Sequence, residues 1–159
     1  MSCFTAYYDS PLGGMTLASD GQALTALHFE GTRSESDVAG AFPATSDLFV
    51  LDETRRWLDL YFAGEKPDFT PPLSPKGTPF QQKVWKILLT IPYGKTVSYG
   101  DIARCISPTM SAQAIGGAVG RNPIGIIIPC HRVIGADGSL TGYASGLDRK
   151  RWLLELEGK

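Results

Sequence analysis

The sequence predicts an α/β protein in two parts, an N-terminal antiparallel sheet with one helix followed by a mainly helical C-terminal region containing a helix-turn-helix. Three observations carry this. Short strand-like runs separated by Gly, Pro and Asp occupy the start of the chain, a proline-dense stretch interrupts it at Lys66 to Lys76, and apolar stripes at helical spacing dominate from Thr78 onward. A chain of 159 residues has room for one ordinary domain or two small ones. The expected division is residues 1–68, a linker 69–77, and residues 78–159.

The strands are expected at Cys3 to Tyr8, Met15 to Ala18 and Ala23 to Phe29. Asp9 to Gly14 and then Ser19-Asp20-Gly21 supply the turns. A helix follows from about Asp47 to Ala63, with Leu48, Leu51, Trp57, Leu58 and Tyr61 on one side and Gly64 as a stop. Thr78 suits an N-cap and Pro79 a first helical position, ahead of the stripe Phe80, Val84, Ile87, Leu88 and Ile91 that Pro92-Tyr93-Gly94 ends. Ser98 and Asp101 have the spacing of a capping box opening a short helix to about Ile106. After a break at Ser107-Pro108-Thr109, a second helix runs from about Met110 to Gly120. Two short helices about a tight break make a helix-turn-helix candidate. The second is almost all small residues (Ser111, Ala112, Ala114, Gly116, Gly117, Ala118, Gly120). Glycine destabilises a helix, so something must approach this one closely. A neighbouring helix and an external partner both satisfy that pattern. A glycine-rich turn then leads to a last helix, Asp148 to Glu157.

No apolar run approaches the length of a membrane span, and the N-terminus lacks the basic flank and apolar core of a secretion signal. Three widely separated cysteines (Cys3, Cys105, Cys130) without a CxxC pair suit reduced thiols in a cytoplasm. No metal is expected, since Cys3 and His28 are at most stray ligands. The formal charge of −1 hides an asymmetry. There are 5 basic against 11 acidic residues up to Lys76, and 10 against 5 from Gly77 onward. An anionic partner would therefore dock on the second part alone.

The chemistry-bearing motif is Pro129-Cys130-His131-Arg132, which sets a thiol beside one of only two histidines. It closes the apolar run Ile124 to Ile128, which reads as a strand stopped by Pro129. A thiol reacts as thiolate, and an imidazole nearby favours that form. On residue types alone, a buried structural cysteine fits equally well.

Read in order, Thr78-Pro79-Phe80-Gln81, Ile91-Pro92-Tyr93-Gly94, Ser98-Tyr99-Gly100, Ala114-Ile115-Gly116, Asn122-Pro123, Ile128 to Gly135, Thr141-Gly142-Tyr143 and Trp152-Leu153-Leu154 form one set. This set resembles the O6-alkylguanine-DNA alkyltransferases, also called methylated-DNA–protein-cysteine methyltransferases. The resemblance is dense from Gly77 to Gly158, whereas Met1 to Asp68 fits in length and strand pattern. It implies a ribonuclease-H-like N-terminal domain and a C-terminal domain that binds DNA and accepts the alkyl group. Cys130 would be the nucleophile, His131 its base through a water, Glu157 the orienter of the imidazole, and Tyr99 the donor to the departing guanine. Asn122 would tie the helix-turn-helix to the cysteine loop. Val133, Tyr143, Ala144 and Ser145 would line the base pocket. Ser111, Ala112, Gln113, Gly116, Gly120 and Arg132 would contact DNA.

The implied partner is double-stranded DNA carrying O6-alkylguanine, with O4-alkylthymine as a further candidate. It is bound in the minor groove with the base flipped out. No cofactor and no obligate protein partner are implied, and each molecule would act once, as a monomer.

The sequence departs from that family pattern at three places. Gln113 stands where the family carries an arginine that occupies the space of the extruded base, which implies weaker duplex binding or slower flipping. Ser145 replaces a usual glycine, and Gly125 lies where some relatives have proline. The cysteine-rich module of relatives that activate transcription is not in the N-terminal half, which favours a stand-alone repair protein. A duplex-impaired or non-transferring lesion binder and a Cys-His hydrolase are the competing readings. Cys130 argues against the first and the helix-turn-helix against the second.

Overall fold

The computed structural model describes residues 4–30, 48–140, 142–143 and 145–158. Cys3, Asp47, Thr141 and Ala144 lie outside them, and with them the expected starts of the first strand and first helix. The chain separates into two compact units, Met1–Lys76 and Gly77–Lys159.

In the first unit, β1 (Phe4–Ser10), β2 (Gly13–Ser19) and β3 (Leu24–Phe29) form an antiparallel sheet in the order β1-β2-β3. The first hairpin is tighter than the turn residues suggested. Ser10 pairs with Gly13, which leaves only Pro11-Leu12 as the loop. Gly13 takes a φ of 116°, and the Ser10 hydroxyl donates to the Gly13 carbonyl while accepting from the Leu12 N–H. In the second hairpin, Asp20 accepts from the N–H groups of Gln22 and Ala23, an Asx turn that folds the chain back. Helix α1 (Phe49–Phe62) covers this sheet and buries Val50, Leu51, Trp57, Leu58 and Tyr61. Met15, Leu17, Leu24, Leu27 and Phe29 complete the core.

The proline-dense segment is not free of the sheet. The Leu24 N–H donates to the Pro72 carbonyl and the Ser74 N–H to the Leu24 carbonyl, a short parallel bridge beside β3. Proline can take that place because only every other backbone group faces the neighbouring strand.

The second unit contains α2 (Pro79–Leu88), β4 (Val97–Ser98), α3 (Tyr99–Ile106), α4 (Ala112–Gly120), a 3₁₀ turn (Cys130–Arg132), β5 (Val133–Ile134) and α5 (Leu147–Glu157). Thr78 and Gln81 form the reciprocal capping box of α2, and Ser98 and Asp101 that of α3. Each cap contributes about 1 kcal/mol. Trp85, buried on α2, donates its indole N–H to the Ala118 carbonyl of α4 at 2.9 Å. Ser107 shapes the break between α3 and α4 by accepting from the Thr109 N–H, and the Ser111 hydroxyl caps α4 through the Ala114 N–H. β4 and β5 pair in parallel, Val97 with Val133 and Ser98 with Ile134. The start of α3 is thereby pinned beside the chain leaving the cysteine.

Candidate active site: a buried thiol, imidazole and carboxylate

The segment that delivers Cys130 corrects the strand expected at Ile124 to Ile128. It runs as successive tight turns. The Ile127 N–H donates to the Gly125 carbonyl and the Cys130 N–H to the Ile128 carbonyl, each closing a three-residue γ-turn. Pro129, at φ −81° and ψ 66°, has the dihedrals of the common inverse form. Ile126 has φ 67°, an unfavourable region for a β-branched residue that costs on the order of 1–3 kcal/mol. Its 1% exposure offsets this, because burying such a side chain contributes about 1.5–3 kcal/mol. The β-branched run correctly signalled burial but not conformation.

What prevents a strand is Asn122. Its Nδ2 donates to the Ile128 carbonyl at 2.8 Å and its Oδ1 accepts from the Ile124 N–H at 3.0 Å, so one side chain occupies both ends of the run. The same amide lies near enough to the Cys130 thiol to pull its pKa down. Asn122 thus joins the end of α4 to the cysteine turn.

Cys130 opens the 3₁₀ turn, 8% exposed. Burial pushes its thiol pKa up, while the Asn122 amide and the charge of Lys150 pull it down. His131 follows, fully buried, with Nε2 2.5 Å from Glu157 Oε2. Burial holds its pKa below the ordinary value, and the charges of Arg132 and Lys150 act in the same direction against Glu157. The imidazole is therefore neutral at pH 7, and with Nε2–H donated to the carboxylate its Nδ1 carries the lone pair.

Glu157 is not the solvated helix-end carboxylate its position suggests. It is 4% exposed, and its Oε1 accepts from Arg132 Nε at 2.7 Å and from the Gly94 N–H at 3.2 Å. Arg132 is not laid out on the surface. Expected to contact DNA, it is buried, and its Nη1 donates to the Ile91 carbonyl at 2.7 Å. Both ends of its guanidinium are engaged inside the unit.

A second buried cation escaped the sequence reading. Lys150 is 0% exposed and donates to the Val133 carbonyl at 2.5 Å. Burial pulls its pKa down and the nearby Cys130 pushes it up. Its Nζ stands 6.0 Å from the centroid of the Tyr99 ring. The signal was available. Lys150, Leu153 and Glu157 fall at i, i+3 and i+7, so both charges share the face of the buried Leu153.

Tyr99 is half-buried at the first position of α3. A Cβ on Gly142 would lie 3.3 Å from its hydroxyl and one on Gly116 3.9 Å from its ring, so glycines border the phenol on two sides. Tyr143 lies within electrostatic reach of Cys130, and burial together with that thiolate pushes its phenol pKa well up. Val133 is fully buried beside the thiol turn, and the Ser145 carbonyl accepts from Arg149. Ala144 lies outside the described residues.

On α4, Ser111, Ala112 and Gln113 are exposed, and Gly116 and Gly120 are half-buried. A Cβ on Gly117 or Gly120 would meet nothing within 4 Å. Helix packing within the unit therefore does not explain those two glycines. Among the described residues, no cluster of three His, Cys, Asp or Glu side chains is placed to hold a metal ion, and no helix is long and apolar enough to cross a membrane.

A helix-turn-helix unit with a thiol, imidazole and carboxylate buried behind it defines the class. Family models for the two domains of the 6-O-methylguanine DNA methyltransferases match the chain, the ribonuclease-like domain at residues 3–75 and the DNA-binding domain at residues 79–159. The chain belongs to that family. It is 46% identical over 155 residues to the methylated-DNA–protein-cysteine methyltransferase of Methanosarcina acetivorans, covering 98% of each chain. It is 51% identical over 155 residues to that of Mycobacterium tuberculosis, covering 94% of this chain and 88% of the relative. The crystal structure of Mycobacterium tuberculosis OGT in complex with DNA superimposes with a TM-score of 0.86 at 48% identity, covering 99% of this chain and 93% of the other.

Proposed function

We propose that this protein repairs alkylated DNA directly, moving a methyl or larger alkyl group from O6 of guanine onto Cys130 in a single irreversible turnover. The observation that carries this reading is the buried Cys130–His131–Glu157 set in a chain matched along nearly its whole length by DNA alkyltransferases. The thiol proton passes to His131 Nδ1 through a water, and Glu157 stabilises the imidazolium that forms. The sulfur lone pair then forms the S–C bond as the C–O6 bond breaks, and the released electron pair stays on the guanine. Tyr99 supplies a proton or hydrogen bond to that anion, aided by the positive charge of Lys150 beside its ring.

Val133, Tyr143 and Ser145 line the pocket for the flipped base. The exposed side of α4 approaches the minor groove, where Gly117 and Gly120 leave space and Gln113 faces the stack. Residues 78–159 thus bind and react, joined through 69–77 to the α/β domain 1–68. Thioethers are stable, so no step restores the thiol, and no cofactor takes part. A methyl group added at a site with this burial overpacks it, which costs about 1–3 kcal/mol. Cys105 and Cys130 are free thiols, which suits work in a reducing cytoplasm. The non-transferring reading is not favoured, because Cys130 is present and the relatives above carry the methyltransferase name.

Intact-mass analysis after mixing the protein with duplex DNA containing one O6-methylguanine tests this. One added methyl group on Cys130, absent from Cys130→Ser, is the expected result. Binding without any adduct would overturn the proposal.

A further inference from the structure

We infer that Arg132 is a positioning residue of the transfer reaction, acting through Glu157 to hold His131 in its neutral, Nε2-protonated form. The inference rests on the proposed alkyl transfer. It starts from how the two Glu157 oxygens are divided. Oε2 faces His131, while Oε1 takes Arg132 Nε and the Gly94 N–H. A carboxylate held on one oxygen by a charged donor and a backbone N–H cannot rotate, so its other oxygen stays aimed at the imidazole. Arg132 is itself fixed. Its Nη1 reaches the Ile91 carbonyl just beyond α2, and its guanidinium carbon lies 5.6 Å from the Tyr93 ring centroid. The loop after α2 is thereby tied to the end of α5 across the histidine's carboxylate.

The charges around His131 indicate what Arg132 adds besides geometry. Glu157 and Lys150 face the site from α5, Cys130 and Arg132 come from the same turn as the histidine, Tyr93 comes from the loop after α2, and Tyr143 precedes α5. Glu157 is the anion among them that favours imidazolium, and Arg132 and Lys150 oppose it. Without Arg132 the balance tips toward a protonated His131, which cannot accept the thiol proton. The acid limb of the transfer rate would then move to higher pH.

The test compares Arg132→Met, Arg132→Lys and the native chain by single-turnover methyl transfer across pH, lesion-duplex affinity, and ¹⁵N NMR titration of His131 without DNA. Arg132→Met is expected to keep its DNA affinity within about twofold, since the side chain is buried away from any phosphate, and to lose about 10–100-fold in transfer rate at pH 7. Its acid limb and the His131 titration should move up in pH. Arg132→Lys keeps the charge without the two-ended fork, so it should restore the pH profile with only part of the rate.

A fall in affinity that tracks the rate at unchanged pH profile would make Arg132 a DNA contact and overturn the inference. So would native transfer by Arg132→Met. If Arg132→Met does not fold, Arg132→Lys is measured in the Glu157→Gln background, where it must add no further change; an additional loss there overturns the inference equally. Failure of the native chain to acquire a methyl group would sink the alkyl-transfer reading instead, and the His131 titrations would still decide what Arg132 does.

Discussion

Helix α4 and the cysteine turn belong to the same unit and are built in opposite ways. Ala112, Gln113 and Ala114 at the start of α4 are exposed, the helix carries no charged residue, and a Cβ added at Gly117 or Gly120 would meet nothing within 4 Å. Between Asn122 and Val133 the chain is mostly buried, and Asn122, His131 and Arg132 are committed to specific partners. One region leaves room for something to arrive, and the other admits almost nothing. The contrast separates the two tasks of the proposed function. Substitutions at the exposed positions of α4 should change how DNA binds without impairing chemistry or folding. Those in the cysteine turn should cost chemistry and stability together, because every buried donor there is also a structural bond.

The largest effect expected from breaking this contrast is at Glu157. Glu157→Gln keeps the shape but removes the anion, leaving Arg132 as a buried cation without its counter-charge, and such a loss costs about 3–5 kcal/mol. With the base no longer stabilised as imidazolium, methyl transfer should fall by at least about 100-fold while lesion-duplex affinity holds. Thermal denaturation and single-turnover rates on one sample measure both. A large rate loss with unchanged stability would show that the carboxylate is not part of the packing, against the hydrogen bonds it makes to Arg132 and Gly94.

Stability should also carry the signature of the buried turn in its pH dependence. His131 has a pKa below its ordinary value in the folded state, so the unfolded chain binds the extra proton first on acidification. Its contribution is fully present above about pH 6.5 and is lost as pH falls through the lower folded value. Cys130 works in the opposite sense. Its raised pKa keeps the proton in the folded state, so that contribution is present below the unfolded thiol value and lost as pH rises. Denaturant melts across pH should therefore show a maximum between these limbs. In a His131→Phe variant the part of the acid limb due to this residue should disappear.

The sequence made these two regions unequally legible. Helix ends were readable because the cause of each is local. Thr78 with Gln81, and Ser98 with Asp101, satisfy the first N–H groups of their helices within one turn of chain. The ordered motifs of the second half identified the family. The conformation of the run Ile124 to Ile128 was not readable. Its β-branched residues favour a strand, and what overrides them is an Asn122 side chain that reaches across the loop to the Ile128 carbonyl. The burial of Arg132 was unreadable for a related reason. Arginine is a surface residue by default, and only the fold brings Glu157, some 25 residues later in the chain, and the Ile91 carbonyl, some 41 residues earlier, to its two ends. Lys150 and Glu157 were recoverable from their phase on α5. A charge at helical spacing from a buried leucine sits on the packed side of the helix, whatever its own preference for water.

On the open side of the comparison, Gln113→Arg should sharpen the difference between duplex and single-stranded substrates. Gln113 is exposed near the start of α4, so an arginine there would be free to enter a groove. Duplex binding should strengthen and its salt dependence should steepen by about one counterion. The transfer rate on single-stranded O6-methylguanine should stay as it was. Equal duplex rates for the two forms would mean that this position takes no part in extruding the base.

The smallest and most discriminating change is Gly117→Ala. A methyl group there meets no atom of the protein within 4 Å, and Gly117 lies inside the helix, where alanine is favoured over glycine by about 0.5–1 kcal/mol. The folded protein should therefore become slightly more stable. If glycine stands here because a sugar-phosphate backbone passes close to the helix, the same methyl group must weaken DNA binding. Stability and affinity should thus move in opposite directions, a pairing that neither a packing role nor a neutral surface position would produce. Higher stability with unchanged affinity would mean that DNA does not approach α4 at this point, and the reason for the glycine would have to be sought elsewhere.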